Sequence, residues 1–567
     1  MRASLLFLTH RVPSVILGAV ILCRWPCAGQ TPKVAAEPPN HPVFPTGNGT
    51  PLGAQIGAML ADPGVGRAHW GIAVTAMDGT PIYGLDEGKF FRPASNAKLF
   101  TTAAAMALLG PDATVTTKVF GDLGADGTVK GDLELVGAAD ANLASDDLPY
   151  LPPAQRPKQA QQPQPVALDA LRALADQIVA KGVKRVTGRV VGDDTLFPHE
   201  PFADSWDVGD LVWGYGAPVS ALTIADNEMK LTVTPGTVSG SKGHERYTPV
   251  TVALEQNGVP YYTVNSQVDG TAAGTGSHVN VERLPGSREL RVYGSMAVGA
   301  EPDVEHISID DPALYAAMAL RQLLIERGIA VDGEAKAQHQ VVQDGRGFLS
   351  AVNEPLTECE ADAIAGNRCA PSCPVHVRQN MLASKESAPL AEDVTLTLKV
   401  SQNLHAEMLL HRLGIFWSAP CMANATGSTV DGARMVRGFL LRAGLDPGDF
   451  VFYDGSGLSG HDLVTPRATA QLLAYATKQP WFAQWKAALP VGGEDGTLSS
   501  RFPEAPLKDH LFAKTGTLGE SRGLSGYVDT ASGKQVIFSI FVDDHAPNGS
   551  ADRVVMDKIV AVIAANE

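Results

Sequence analysis

Three short stretches of this chain carry side chains that could act together in acyl transfer: Ser95-Asn96-Ala97-Lys98, Ser401-Gln402-Asn403 and Lys514-Thr515-Gly516. Ser95 and Lys98 are three residues apart, which on a helix puts both side chains on one face. A serine hydroxyl is a weak nucleophile until a neighbouring base takes its proton. Lysine can be that base only if its pKa falls from about 10.4 towards neutrality, and burial or a second cation lowers it. Ser95 is therefore the candidate nucleophile, Lys98 its general base, and Lys514 the second cation. At the first turn of a helix, Ser95 would also feel the positive end of the helix dipole. Ser401 offers a hydroxyl that can relay a proton between Lys98 and a leaving amine. Asn403 offers an amide to hold a substrate backbone and orient Lys98. Lys514-Thr515-Gly516-Thr517 fits a strand edge, to which an extended peptide adds by main-chain pairing. Lys514 and Thr515 would hold a terminal carboxylate there, and Gly516 would let backbone approach closely. The backbone N–H groups of Ser95 and Thr517 would form an oxyanion hole. Each stretch alone also reads as ordinary structure, such as a Ser N-cap with a solvated Lys, a polar helix start or a turn. The three in this order outweigh that.

The surrounding sequence supplies elements to position them. Trp70–Val74 and Pro81–Tyr83 flank Asp78-Gly79, the pattern of a hairpin. Pro93 and Gly110-Pro111 punctuate a helix over Ala94–Leu109. From about 118 to 304 many short strand-like runs alternate with Gly and Ser turns, interrupted by one helix over Ala167–Lys181. The Pro/Gln-rich piece Pro152–Pro165 reads as a mobile surface loop. Helical spacing returns over Asp311–Arg327 and again over Leu396–Leu413, which would hold Ser401 and Asn403 near its start. Strands are expected at Leu511–Ala513, with Lys514 at the end, and at Arg522–Val528 and Gln535–Val542. A last helix is expected over Ala551–Ala565. Helices from both ends of the chain around an antiparallel sheet make an α+β layered domain. It would be built from 51–117 and 305–567 and split by a large, mainly β insertion at 118–304.

The chain has 567 residues, 44% of them hydrophobic and 19% charged, with a net charge of −16. The length implies two or three domains, and the acidity excludes nucleic acid as a partner. Arg2 and Arg11 followed by the apolar run Val12–Cys23 and by Cys27-Ala28-Gly29 read as a cleaved export signal over 1–29, with a linker over 30–50. The run is about a dozen residues where a membrane-spanning helix needs roughly 20, so no membrane anchor is expected. Cys359, Cys369, Cys373 and Cys421 then remain, and an exported context favours disulfides over zinc, in any of three pairings. The fourteen histidines show no metal-ligand spacing such as His-Glu-x-x-His. His405 reads as a surface or core residue. Gly455-Ser456-Gly457 reads as a tight turn, since no Gly-Lys-Ser/Thr follows.

Ser-x-x-Lys, Ser-x-Asn and Lys-Thr-Gly, in that order, are the signature of penicillin-binding proteins and serine β-lactamases. Further stretches resemble one group among them: Ala383-Ser384-Lys385-Glu386-Ser387-Ala388-Pro389-Leu390, Asp454-Gly455-Ser456-Gly457-Leu458-Ser459, Leu489-Pro490-Val491-Gly492-Gly493-Glu494-Asp495-Gly496-Thr497-Leu498 and Leu524-Ser525-Gly526-Tyr527-Val528. The chain resembles the exported D-alanyl-D-alanine carboxypeptidase/endopeptidases of the penicillin-binding protein 4 type, peptidase family S13, over most of 50–567. That resemblance implies a transpeptidase-like domain whose insertion carries a smaller nested part, here at about 235–300. It implies hydrolysis of D-Ala-D-Ala ends or D-Ala cross-links through an acyl-serine. Peptidoglycan stem peptides and β-lactams would be the ligands, with no metal or organic cofactor, in the periplasm or cell envelope. A serine β-lactamase and a catalytically silent peptidoglycan-binding protein are the alternatives. Gln402 stands where many relatives have Asp or Asn. Gly460, and Leu518 followed by Gly519, stand where some carry substrate-contacting Arg and Gln, so the resemblance carries the reaction but not the stem-peptide preference. Asp194, in Gly192-Asp193-Asp194-Thr195-Leu196-Phe197, resembles an insertion acid that could meet the amine of a diamino acid. On its own it reads equally as a turn Asp.

Overall fold

The computed structural model describes residues 43–45, 49–143, 149–156, 167–239, 246–341, 347–366, 380–418 and 428–567. The expected export signal, most of the linker, most of the Pro/Gln-rich piece, and Cys369, Cys373 and Cys421 with their pairing lie outside these residues.

An almost unbroken apolar run near the C-terminus, buried on both faces, builds the central sheet. In the strand Gln535–Asp543, Ile537 and Phe541 face one core while Phe538, Ile540 and Val542 face another, the period of two expected of a strand. The sheet has five antiparallel strands in the order Pro81–Leu85, His69–Ala76, Gln535–Asp543, Ser521–Asp529, Leu511–Leu518. Helices Pro51–Leu60 and Ala551–Asn566 cover one face, through Ile56, Ile559 and Ile563. Helices Ala97–Leu108 and Pro466–Ala476, among others, close the other, where Phe100, Leu472 and Leu473 are fully buried. Each such side chain contributes about 1.5–3 kcal/mol of burial, so this sheet is a rigid platform. Leu511–Leu518 is its outer strand, leaving a free edge beyond the short bridge of Val491 to Phe512.

A second sheet carries a separate core. Its order is Ala330–Val331, Arg185–Val186, Thr128–Val136, Thr116–Leu123, Met381–Glu386. Val190–Pro198 pairs in parallel with both Thr128–Val136 and Lys336–Gln340. Helices Asp169–Ala180 and Pro312–Glu326 pack on it through Leu171, Leu174, Leu320 and Leu324. Two three-stranded sheets, one holding Glu228–Thr234 and the other spanning Thr263–Ala297, join the same core through Leu231, Leu290 and Val292.

Three expectations change here. The helix over Asp311–Arg327 forms with Asp311 as its N-cap, but it shares a core with the inserted strands rather than with the first sheet. Met381–Glu386 likewise pairs with Thr116–Leu123. The second module therefore does not stop at 304 but takes in Pro312–Glu326, Lys336–Gln340 and Met381–Glu386, while Glu358–Ile364 between them packs on the first core through Ile364: an apolar face shows that a partner exists but not which one. Leu396–Leu413 is not one helix. Leu390–Lys399 ends, and Asn403–Ser418 begins, on either side of a break in which Ser401 has φ +65°, a left-handed backbone incompatible with a continuing helix. Lys514 lies mid-strand, because pairing with Ser521–Asp529 persists from Leu511↔Val528 to Leu518↔Ser521.

Candidate active site

Ser95 stands on a tight turn, not on the helix itself. A single 3-10 turn, Ala94–Asn96, precedes the helix Ala97–Leu108. Ala94 holds φ +46°, a conformation that costs a non-glycine residue of order 1–3 kcal/mol and is kept only where its surroundings enforce it. Two close neighbours enforce it. A Cβ on Gly457 would lie 1.8 Å from the Ala94 carbonyl oxygen, and one on Gly516 would lie 2.7 Å from that of Pro93. The turn is thus clamped between the Asp454–Ser459 loop and the sheet edge. Gly457→Ala should therefore lower the thermal midpoint by an amount equivalent to about 1–3 kcal/mol and cost activity, since φ at 457 is +82°. Gly460→Ala, in the same loop with nothing within 4 Å of its Cβ, should melt like the parent. Equal melting of the two variants would remove the clamp.

Lys98 is completely buried. Its Nζ lies 2.9 Å from Ser95 Oγ, 2.6 Å from Asn403 Oδ1 and 2.8 Å from the Ser456 carbonyl oxygen. Burial lowers its pKa to about 7, against the opposing pull of Asp454, Glu407 and Asp462. Lys514, also buried, donates to Ser401 Oγ at 2.8 Å and to the Thr515 carbonyl at 2.8 Å. Burial, and then the charge of Lys98, hold its pKa well below the ordinary lysine value. The left-handed turn at Ser401 lets Ser401 reach Lys514 while Asn403, two residues on, reaches Lys98. Five of the expected residues, Ser95, Lys98, Ser401, Asn403 and Lys514, are thereby joined in two hydrogen-bonded groups that sense one another's charge.

The outer strand completes the cleft. Gly516 abuts the Ser95 turn, so Thr517 and Ser95, whose N–H groups were expected to bind an oxyanion, sit on elements in contact. Thr517 is exposed, and the Thr515 hydroxyl is 2.7 Å from that of Thr497.

Several site residues escaped the sequence reading. Glu407 lies one helical turn beyond Asn403 and accepts N–H bonds from Gly455 and Ser456 at 2.8–3.1 Å. Burial and then the charge of Asp454 push its pKa up to about 8. Asp454 gathers the N–H groups of Ser456, Gly457 and Ser459. These carboxylates shape the loop whose carbonyl meets Lys98, so Gly455-Ser456-Gly457 is more than a bystander turn. The i, i+4 relation of Asn403 to Glu407 was the available signal. From the second module, the Tyr215 carbonyl accepts from Asn403 Nδ2 at 2.8 Å, and Trp206 Nε1 donates to Asp454 at 2.9 Å. Nothing local announces those two. His405 is core, held between Asp393 and Asp226 at 2.7 and 3.0 Å.

Asp194 requires a correction. It lies in the strand Val190–Pro198, only 5% exposed, not in a turn. One carboxylate oxygen accepts from Ser220 at 2.9 Å and the other is 2.9 Å from His339 Nδ1. Each oxygen has a partner within the protein.

The sequence model of the D-Ala-D-Ala carboxypeptidase 3 (S13) family matches residues 52–361 and 372–566. A D-alanyl-D-alanine carboxypeptidase of Actinomadura sp. is 31% identical over 525 residues, 91% of this chain and 85% of that protein. The crystal structure of penicillin binding protein 4 (dacB) from Haemophilus influenzae superposes with a TM-score of 0.67 at 20% identity, covering 90% of this chain and 99% of the other. The same protein complexed with a β-lactam gives 0.64, with the same identity and coverage. These two likenesses carry the fold, a transpeptidase/β-lactamase-like α+β architecture with a large insertion. No helix among the described residues is long and apolar enough to cross a membrane.

Proposed function

We propose that this chain, which belongs to the D-Ala-D-Ala carboxypeptidase family, is a serine D,D-peptidase acting on D-Ala-D-Ala ends and D-Ala cross-links of peptidoglycan. The observation that carries the reading is a completely buried Lys98, its pKa lowered to about 7, 2.9 Å from the Ser95 hydroxyl.

Ser95 Oγ attacks the carbonyl carbon of the penultimate D-Ala as its proton passes to Lys98 Nζ. The carbonyl oxygen, now negative, is held by the N–H groups of Ser95 and Thr517. The proton returns through Ser401 to the leaving nitrogen, the C–N bond breaks, and the amine departs from an acyl-Ser95. Lys98 then takes a proton from water, which attacks the ester and frees Ser95. Lys514 and Thr515 hold the substrate carboxylate while its backbone pairs along the free sheet edge. A β-lactam enters the same way and leaves Ser95 acylated. No step calls for a metal or organic cofactor. The apolar N-terminal run and the peptidoglycan substrate together support export to the cell envelope.

The test is digestion of defined muropeptides, a pentapeptide monomer and a cross-linked dimer, followed by mass spectrometry. D-Ala released from the monomer, monomers released from the dimer, and stable labelling by a fluorescent penicillin are expected. Inert muropeptides together with fast turnover of a chromogenic β-lactam would establish the β-lactamase instead. Inert muropeptides with no labelling would leave the binding protein.

A further inference from the structure

The pairing of Val190–Pro198 with Lys336–Gln340 is interrupted in a particular way. Gln338 is opposite Asp193, yet Gln340, two residues on, is opposite Pro198, five residues on. The backbone is back in register at once, since His199 N–H donates to the Gln340 carbonyl at 2.7 Å. Residues 194–197 therefore bulge out of the ladder, and such a bulge re-aims side chains. Its effect here is to gather Asp194, His199 and His339. Each offers one ligand atom, and the three atoms lie within 4.8 Å of one another. The two imidazole rings lie with centroids 4.1 Å apart.

We propose that Asp194, His199 and His339 form a binding site for a divalent transition-metal ion, zinc being the best fit. The donor set is two imidazoles and a carboxylate, which suits zinc. The separation of Asp194 Oδ1 from His339 Nδ1, 2.9 Å, would have to open by about 0.4 Å to reach the roughly 3.3 Å edge of a tetrahedron with zinc–ligand bonds of about 2.0–2.1 Å. A metal-bound histidine needs its other ring nitrogen held by an acceptor. Asp311 Oδ2 stands 3.6 Å from His339 Nε2, and Asp311 is itself anchored as the N-cap that accepts Leu314 N–H at 2.9 Å. Ser220 Oγ, donating to the second oxygen of Asp194, steadies the carboxylate in the same way. His199 is exposed, which leaves a fourth coordination position open to water. The ion would pin the two strands across their bulge, in the second module. This site is independent of the Ser95 chemistry. No short-range spacing advertises it: His199 is five positions after Asp194, and His339 comes from a distant strand.

The experiment uses the full chain stripped with EDTA and dialysed, then titrated with Co2+ and, by calorimetry, with Zn2+. One ion per chain is expected, with a visible d–d spectrum of nitrogen and oxygen ligation. The near-ultraviolet thiolate band of a cysteine site should be missing. Zn2+ should raise the thermal midpoint, reversibly with EDTA. His199→Ala, at an exposed position, and His339→Gln should each weaken binding at least about tenfold, and Asp311→Asn about tenfold through loss of the carboxylate charge that faces His339 Nε2. Metal-free melting and peptide or penicillin reactivity of His199→Ala should match the parent. Absence of stoichiometric binding, a thiolate spectrum, or unchanged affinity in both histidine variants would overturn the site. The three side chains would then be an imidazole–carboxylate clamp alone.

Discussion

Ser95→Ala should be folded, inert towards muropeptides and blind to penicillin. A drop of at least about 10^4-fold in kcat/KM is expected, the scale seen when the nucleophile of an acyl-transfer site is removed. Among the described residues no other hydroxyl combines the strained turn, the 2.9 Å approach to Lys98 and contact with the sheet edge through Gly516. Ser401 already accepts from Lys514, so it cannot inherit the attack without leaving the leaving-group path. The substitution removes one oxygen from a half-buried position and leaves the backbone donors in place, so the melting temperature should hold. Two readouts separate roles. Mass spectrometry of the protein after incubation with penicillin should show the added acyl mass on the parent and none on the variant. Muropeptide products should vanish in parallel. A variant that still gains the acyl mass would move the nucleophile elsewhere.

The second large effect is on pH. Acylation requires neutral Lys98, and burial has brought its pKa from 10.5 to about 7, a change on the order of 5 kcal/mol. That outweighs three carboxylates pulling the other way. The sign follows directly. Below about pH 7 the ammonium form dominates and the base is lost, and above it the amine is available. The kcat/KM for acylation should therefore rise with unit slope up to about pH 7 and then level. Because Lys98 and Lys514 sense each other, the midpoint belongs to the pair. A substrate carboxylate at Lys514 favours the cation there, which in turn favours neutral Lys98. Glu407, with its own pKa at about 8, is mostly uncharged where Lys98 titrates, whereas Asp454→Asn removes the largest of the charges that raise the Lys98 pKa, so the limb of that variant should move to lower pH. Lys98→Ala should lower acylation by about 10^2–10^4-fold and flatten the profile around pH 7. A parent profile with its limb near pH 10 would show that burial has not lowered the base, and an unmoved limb in Asp454→Asn would break the coupling.

Much of the site was legible because its chemistry is carried by residue type and short spacing. Ser95 and Lys98 share a face at three residues' separation, and the apolar run of Gln535–Asp543 makes the sheet whichever way the chain closes. Helices Asp169–Ala180, Pro312–Glu326 and Ala551–Asn566 were visible in the same way. What could not be seen is what needs a partner to be named. The helix Pro312–Glu326 shows an apolar face, but only the folded chain assigns it to the second core. The break at Ser401 depends on a positive φ that no residue type near it requires.

By itself, then, the order of amino acids determined the reacting groups, the apolar strands and the acyl-transfer class, because each is encoded within a few neighbouring positions. Only the tertiary structure decided that Lys98 is dry enough to be a base, that Glu407 and Asp454 build the loop behind it, that Tyr215 and Trp206 reach the cleft from the second module, and that Asp194 belongs with two histidines. Those outcomes rest on burial and on contacts between residues hundreds of positions apart, where desolvation and proximity, not identity, set what a side chain does.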